Sequence, residues 1–226
     1  GGSAANTVIG AAHLGANCYF STKVANDDAG DLYLTDLKKN GVDTNLVLDP
    51  EPSAHTGICY VLVTPDADRT MATYLGITET FAIDNLSESA IKDASFLYIE
   101  GYLLATPDSK AAVLQAVAWA KHYGTKVALS FSDPNMIKFC LEGFKELLKT
   151  KIDFLFCNQD EAYTYTQTEH LEQAIEHLQG VSHQFVITLG ADGAVLYDGF
   201  KSVKINGIKV EACDTTGAGD RKSTRL

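Results

Sequence analysis

The feature that most restricts how this chain can fold is the alternation, over residues 96–197, of short Val- and Leu-rich runs with longer helix-patterned ones. Strand-like runs fall at 96–99, 126–131, 154–157, 185–189 and 194–197, and helix-like runs at 107–123, 137–150 and 171–178. Short apolar strands separated by helices of this length predict an α/β fold, a mostly parallel sheet with helices on both faces. Ligands of such sheets sit at the carboxyl ends of the strands. Most of the chemistry-bearing motifs lie just after a strand-like run.

The first half is less regular. Residues 18–24 read as a strand and 30–40 as a helix with Leu32, Leu34 and Leu37 apolar, ended by Gly41. Runs at 56–63 and 70–75, joined by the turn Pro65-Asp-Ala-Asp68, predict a hairpin forming a small β lid over about 56–75. No repeat, low-complexity tract or linker divides the chain, so one α/β domain is expected over 1–220. The opening on Gly1-Gly2 without Met or a preceding strand, and the basic tail at 221–226 where an apolar helix would pack, predict a domain truncated at both ends with a non-native tail.

At 226 residues and 46% hydrophobic, the chain can bury a sizeable core. No apolar run approaches the roughly 20 residues of a membrane-spanning helix, and the first residues lack the pattern of a secretory signal, so no membrane association and a cytoplasmic location are expected. A net charge of −11 argues against a nucleic-acid groove, which needs clustered Lys and Arg. Cys18, Cys59, Cys140, Cys157 and Cys213 have neither metal-ligand spacing nor a disulfide pattern and read as small buried hydrophobes. The six histidines show no metal spacing either.

The run Asp214-Thr-Thr-Gly-Ala-Gly-Asp220 follows a strand-like stretch at 208–213. Glycines there let the backbone approach a ligand, and their N–H groups can converge on an anion. Asp220 then stands beside the anion hole, where a carboxylate can take a proton from an attacking hydroxyl. Donors for a charged transition state plus a base for the nucleophile are what phosphoryl transfer requires. A glycine-rich turn flanked by solubilising acids is the plainer alternative.

Four other stretches admit two readings. Gly1-Gly-Ser-Ala-Ala-Asn6 can pass close to a polar ligand with the Asn6 amide on its hydroxyls, or be a turn and helix cap. Asn158 and Glu161, one helical turn apart, can hold a hydrated magnesium ion or form a capping box. The stretch Thr188-Leu-Gly190-Ala-Asp-Gly193 is a β turn that can also lie against a nucleotide. Arg69 and the turn Asp133-Pro-Asn135 read as charged or polar turns.

Together these stretches resemble the PfkB (ribokinase-like) family of small-molecule kinases. The 214–220 run matches the family signature Asp-Thr-x-Gly-Ala-Gly-Asp at every fixed position, and the resemblance extends over nearly the whole chain. It implies Asp220 as catalytic base, Gly217, Ala218 and Gly219 as the anion hole, and Gly1, Gly2 and Asn6 on the substrate. It further implies Thr188, Gly190, Gly193 and Asn158 on the nucleotide, Glu161 on magnesium through water, and Asp214 and Thr216 at a monovalent-cation site. Residues 24–30 resemble the end of the family's N-terminal signature, with Asp27 and Gly30 in place but Ala25 where glycine is usual. The arginine usual beyond Asp133-Pro-Asn135 is missing, with Ile137 and Lys138 there instead.

The implied activity is ATP-dependent phosphorylation of a hydroxymethyl group on a sugar or nucleoside, with Mg2+, K+ as a candidate second ion, and a homodimer as the candidate assembly. Gly1 to Thr7, Thr73-Tyr-Leu-Gly76 and Ser130-Phe-Ser-Asp-Pro134 look nearest to bacterial adenosine kinases, with ribokinase, fructokinase and ketodeoxygluconate kinase as alternatives. By itself the 226-residue chain is expected to have little kinase activity. A dinucleotide-dependent oxidoreductase would carry Gly-x-Gly-x-x-Gly after its first strand, and neither that run nor a Walker A loop occurs. A non-catalytic nucleotide-binding relative would have no need of Asp220.

Overall fold

The computed structural model describes residues 2–64, 69–210 and 217–220. Two compact units divide the chain, one comprising Gly1–Ser87 with Glu211–Leu226 and the other Glu88–Val210.

In the first unit, helix α1 (Ser3–His13) leads to strand β1 (Cys18–Tyr19), helix α2 (Asp28–Lys39) and strand β2 (Val42–Asp43). β1 pairs in parallel with β2, Cys18 opposite Val42. The strand expected over 18–24 is thus only two residues long, followed by a single bridge between Ala25 and Asp49. Helix α2 starts where Asp27 caps it, accepting from the Gly30 amide at 2.8 Å. That carboxylate also takes the Thr56 hydroxyl at 2.6 Å and the Thr56 amide at 2.8 Å. The Thr56 hydroxyl, followed by its amide, holds the Asp27 carboxyl below the usual aspartate range.

Strands β3 (Ile58–Val63) and β4 (Arg69–Tyr74) form the expected antiparallel hairpin, Ile58 opposite Tyr74 and Val63 opposite Arg69. Its root is close-packed, because a Cβ on Gly57 would come within 2.5 Å of the Leu75 carbonyl oxygen and one on Gly76 (φ +56°) would strike the carbonyl of His55. Beyond the root, side chains on both faces are exposed, including Tyr60, Leu62 and Met71. The turn at 65–68 lies outside the described residues, as does Cys213. Cys59 is exposed on this hairpin and Cys18 and Cys140 are partly exposed, so only Cys157 fits the expectation of a buried hydrophobe. A two-stranded ribbon has no second layer to cover its side chains, which is why an apolar run there stays open.

The second unit opens with helix α3 (Glu88–Asp93) and is built on a six-stranded sheet. Strands β5 (Phe96–Glu100), β6 (Lys126–Ser130), β7 (Ile152–Asn158) and β8 (Ser182–Thr188) run parallel. Strands β9 (Ala194–Tyr197) and β10 (Ser202–Ile205) add on antiparallel, giving the order β10-β9-β8-β7-β6-β5. The intervening helices are α4 (Pro107–Tyr123), α5 (Pro134–Phe139), α6 (Leu141–Leu147), α7 (Gln159–Thr166) and α8 (Leu171–Gln179).

Helix α4 matches its predicted bounds because both ends are written locally. Thr106 caps the Ser109 amide, Pro107 opens the first turn, and Gly124 closes the helix in the left-handed region at φ 80°. The single helix expected over 137–150 is two helices that meet at Cys140, and the first begins earlier, where Asp133 caps Asn135. The break lets Ile137 on one helix and Phe144 and Leu147 on the next all become buried. Phe131 joins them, edge-on to Phe144 with ring centres 5.4 Å apart. The strand expected at 208–213 does not form in its described part. Residues 208–210 are irregular, with Ile208 and Val210 exposed, and 211–213 lie outside the described residues.

Candidate active site

Asp220 is gathered against helix α1 by three side chains. Ser3 Oγ donates to Oδ1 at 3.1 Å, Asn6 Nδ2 to Oδ2 at 2.9 Å, and Thr7 Oγ1 to the Asp220 carbonyl at 2.8 Å. Asn6 is neither in a loop nor a cap. Its amide N–H bonds back to the Gly2 carbonyl at 2.9 Å, inside the first turn of α1. The positions 3, 6 and 7 share one helix face by their spacing. The family resemblance points to Asn6 alone of the three; the shared helix face of Ser3, Asn6 and Thr7 follows from their spacing, but their meeting with Asp220 does not.

Gly2 adopts φ 100° with open space where a Cβ would stand, so the conformation, not a close approach, selects glycine there. Gly217 (φ 71°), Ala218 and Gly219 form a turn leading into Asp220. Among the described residues, a Cβ on Gly217 would meet the Asn6 amide nitrogen at 3.4 Å and the Asp220 carboxylate at 3.6 Å, and one on Gly219 would meet none. This turn therefore presents backbone to open space beside a carboxylate. Gly1, Asp214 and Thr216 lie outside the described residues.

In the second unit, the carboxyl ends of the parallel strands carry the other candidates. Register pairs Glu100 with Ser130, Ser130 with Phe156, and Asn158 with Thr188. Asn158 and Glu161 form a complete capping box at the start of α7. The Asn158 side chain accepts the Glu161 amide at 2.8 Å, while the two Glu161 oxygens accept the Asn158 main-chain and side-chain N–H groups, each at 2.9 Å. Glu161 is only 2% exposed, so these bonds replace the water it gives up.

The 188–193 stretch is a short 3₁₀ turn joining antiparallel β8 and β9. Gly190 (φ 59°) has open space around its missing Cβ, whereas a Cβ on Gly193 would collide with the carbonyl of Ile205. Gly207 packs in the same way on Ala191, so backbone crowding selects glycine at 193 and 207. Thr188 contacts the Cys157 carbonyl with its hydroxyl at 3.5 Å.

A second buried carboxylate at these strand ends was not legible in the sequence. Glu100, 5% exposed, accepts from the Tyr98 hydroxyl at 2.9 Å and the Ser132 hydroxyl at 2.7 Å, while Ser132 Oγ also receives the Gly101 amide at 2.8 Å. Ser132 sits at φ 72°, a conformation a serine adopts only when such bonds hold it. A cavity of about 340 Å³ lies at the opposite, amino-terminal end of the sheet, lined by Phe96, Lys126, Lys151 and Phe154 among others. Among the described residues no group of three or more His, Cys, Asp or Glu could hold a metal ion directly, and no helix is long and apolar enough to cross a membrane.

A mostly parallel sheet with its helices and an antiparallel edge, together with a carboxylate beside a glycine-rich turn, defines the ribokinase-like class of α/β proteins. The chain belongs to the pfkB family of carbohydrate kinases, whose family model matches residues 1–221. Kinases of this family are phosphotransferases that use ATP and act on hydroxyl groups of sugars or nucleosides.

The chain is 26% identical over 235 residues to the 5-dehydro-2-deoxygluconokinase of Bacillus subtilis, covering 97% of this chain and 70% of the relative. It is 28% identical over 232 residues to the probable chloroplastic fructokinase-6 of Arabidopsis thaliana, covering 97% of this chain but 59% of that protein. Among solved structures, the adenosine kinase of Sinorhizobium meliloti superposes with a TM-score of 0.93 at 31% identity, over 99% of this chain and 69% of the other.

Proposed function

We propose that the protein phosphorylates a hydroxymethyl group of a nucleoside or sugar at the expense of ATP, with an adenosine-like nucleoside as the favoured acceptor. The observation that carries this reading is the contact of Asn6 with Asp220, which sets an amide suited to ligand hydroxyls 2.9 Å from a carboxylate suited to taking a proton. Bound ATP would supply the phosphoryl group. Asp220 accepts the proton of the attacking hydroxyl, and the N–H groups of Gly217, Ala218 and Gly219 stabilise the developing negative charge. In balance, an acceptor O–P bond forms, the bond to the ADP leaving oxygen breaks, and one proton passes to the carboxylate.

Asn158 and Glu161 fit a hydrated magnesium ion and not a directly ligated one. Their donors and acceptors close on each other in the capping box, and Mg2+ commonly keeps several of its waters. Thr188, Gly190 and Gly193 are assigned to the nucleotide, with Gly190 the position whose open surroundings suit a ligand. The reading also includes Gly1 and Gly2 at the acceptor, K+ at Asp214 and Thr216, the β3–β4 hairpin as a lid, a homodimer, and a cytoplasmic location. Sequence favours adenosine over the sugars through the stretches at 1–7, 73–76 and 130–134.

The test is ADP release by the protein of the complete reading frame with adenosine, ribose, fructose and ketodeoxygluconate as acceptors. Adenosine is expected to give the highest kcat/KM. A higher value for a sugar overturns the acceptor, and nucleotide-dependent thermal stabilisation without ADP release from any acceptor overturns catalysis in favour of a binding protein.

A further inference from the structure

Three side chains of helix α1 hold Asp220, and the proposed function uses only Asn6. Ser3 and Thr7 have no part in binding the acceptor in that reading, yet each contributes a hydrogen bond across more than 200 residues of sequence. Thr7 is 4% exposed. A hydroxyl so removed from water needs a partner, and it has one in the Asp220 main-chain carbonyl at 2.8 Å.

The turn that leads into Asp220 cannot supply this order itself. Two of its three residues are glycines, Gly217 at φ 71° and Gly219 with no described atom around its missing Cβ, so among the described residues the turn has little of its own to limit where the carboxylate points. A base must stand within hydrogen-bond reach of the proton it removes. The α1 face provides what the turn lacks. Thr7 fixes the main chain of Asp220, and Ser3 and Asn6 fix one carboxylate oxygen each, so position and rotation are both set by a rigid element.

We infer that Ser3 and Thr7 are positioning residues for Asp220, an inference that rests on the reading of Asp220 as the base. Each acts through the placement of the carboxylate, Ser3 on its Oδ1 and Thr7 on its main chain.

The experiment compares Ser3→Ala, Thr7→Val, Thr7→Ser and Asp220→Asn in the protein of the complete reading frame, with steady-state kinetics and thermal unfolding on each. Ser3→Ala and Thr7→Val are expected to lower kcat about 10- to 100-fold, the scale of a slightly misplaced reacting group. KM for ATP and acceptor should stay within about twofold. Thr7→Ser, which restores the hydroxyl, should recover most of the lost kcat. A readout without turnover is the Asn6 side-chain amide signal in NMR, which should shift in Thr7→Val and return in Thr7→Ser. Turnover abolished by Asp220→Asn but unchanged in Ser3→Ala and Thr7→Val overturns the positioning role alone. Turnover retained in Asp220→Asn overturns the base reading and this inference with it. Should Thr7→Val fail to fold, Ser3→Ala, at a partly exposed position, decides the matter.

Discussion

The Asn158–Glu161 pair and Asp220 are both carboxylate sites beside a helix start, but they are held together over very different distances along the chain. Glu161 is fixed by a residue three positions away, and every bond of its capping box closes within one helical turn. Asp220 is fixed by donors 213 to 217 residues away, and its own turn is two-thirds glycine. The Asp27–Thr56 clamp lies between the two, with one bond reaching three residues to Gly30 and two reaching 29 residues to Thr56. Local closure makes a group stable wherever its segment folds. Closure across the chain makes a group depend on tertiary order, which suits the role of base proposed for Asp220.

The largest effect is expected at Asp220. Asp220→Asn should lower turnover by about 10²- to 10⁴-fold, the usual contribution of a general base, while ATP binding measured by calorimetry stays near wild type. Turnover close to wild type would place the base elsewhere and dissolve the contrast. An intermediate effect is expected at the local pair. Asn158→Ala removes the cap of α7 and one of the two N–H donors to a buried carboxylate, and should cost about 1–2 kcal/mol in urea unfolding. A loss below about 0.3 kcal/mol would mean the box does not hold the helix.

The smallest effect is expected at Asp27, where Asn still accepts the Gly30 amide but loses the charge and the second oxygen that accepts the Thr56 amide, at about 1 kcal/mol near neutral pH. The Thr56 hydroxyl and amide hold this carboxyl below its ordinary value of about 3.9. Its charge therefore stabilises the fold above that pH, and the contribution fades as pH falls through the lower folded value. The stability gap between wild type and Asp27→Asn should be present at pH 6 and shrink below about pH 4. A gap that widens on acidification would reverse the sign and remove the clamp as its cause.

Legibility in the sequence followed the same gradient of distance. Helix α4 matched its predicted bounds because Thr106, Pro107 and Gly124 mark both ends within a residue of the helix, and strands β5 to β9 matched within a few residues because each holds a short apolar run, whereas the exposed, half-polar β10 was not expected. The hairpin was readable too, since its two runs and the turn between them lie within 20 residues. The expected helix over 137–150 misread a break at Cys140, because what splits it is the burial of Ile137, Phe144 and Leu147 in one core and not a Pro or Gly. Residues 18–24 read as one strand by pattern, yet only Cys18 and Tyr19 pair in a ladder with β2, while Phe20 and Val24 make single main-chain bonds to Asp43 and Asp49.

The candidate site divides along the same line. Residue type and spacing raised Asp220, Asn158 and Glu161 as candidates and the family resemblance assigned them roles, because glycine-rich turns and capping boxes are written in adjacent letters. Ser3 and Thr7 became visible only when α1 met Asp220, and Glu100 only when β5 and β6 set it beside Ser132. The sequence by itself determined the family, the strand and helix periods, and the local caps, since these depend on residues a few positions apart. Which hydroxyl reaches which carboxylate was decided by tertiary structure, because a hydrogen bond needs its atoms within about 3 Å and no pattern along the chain encodes a meeting across 217 residues.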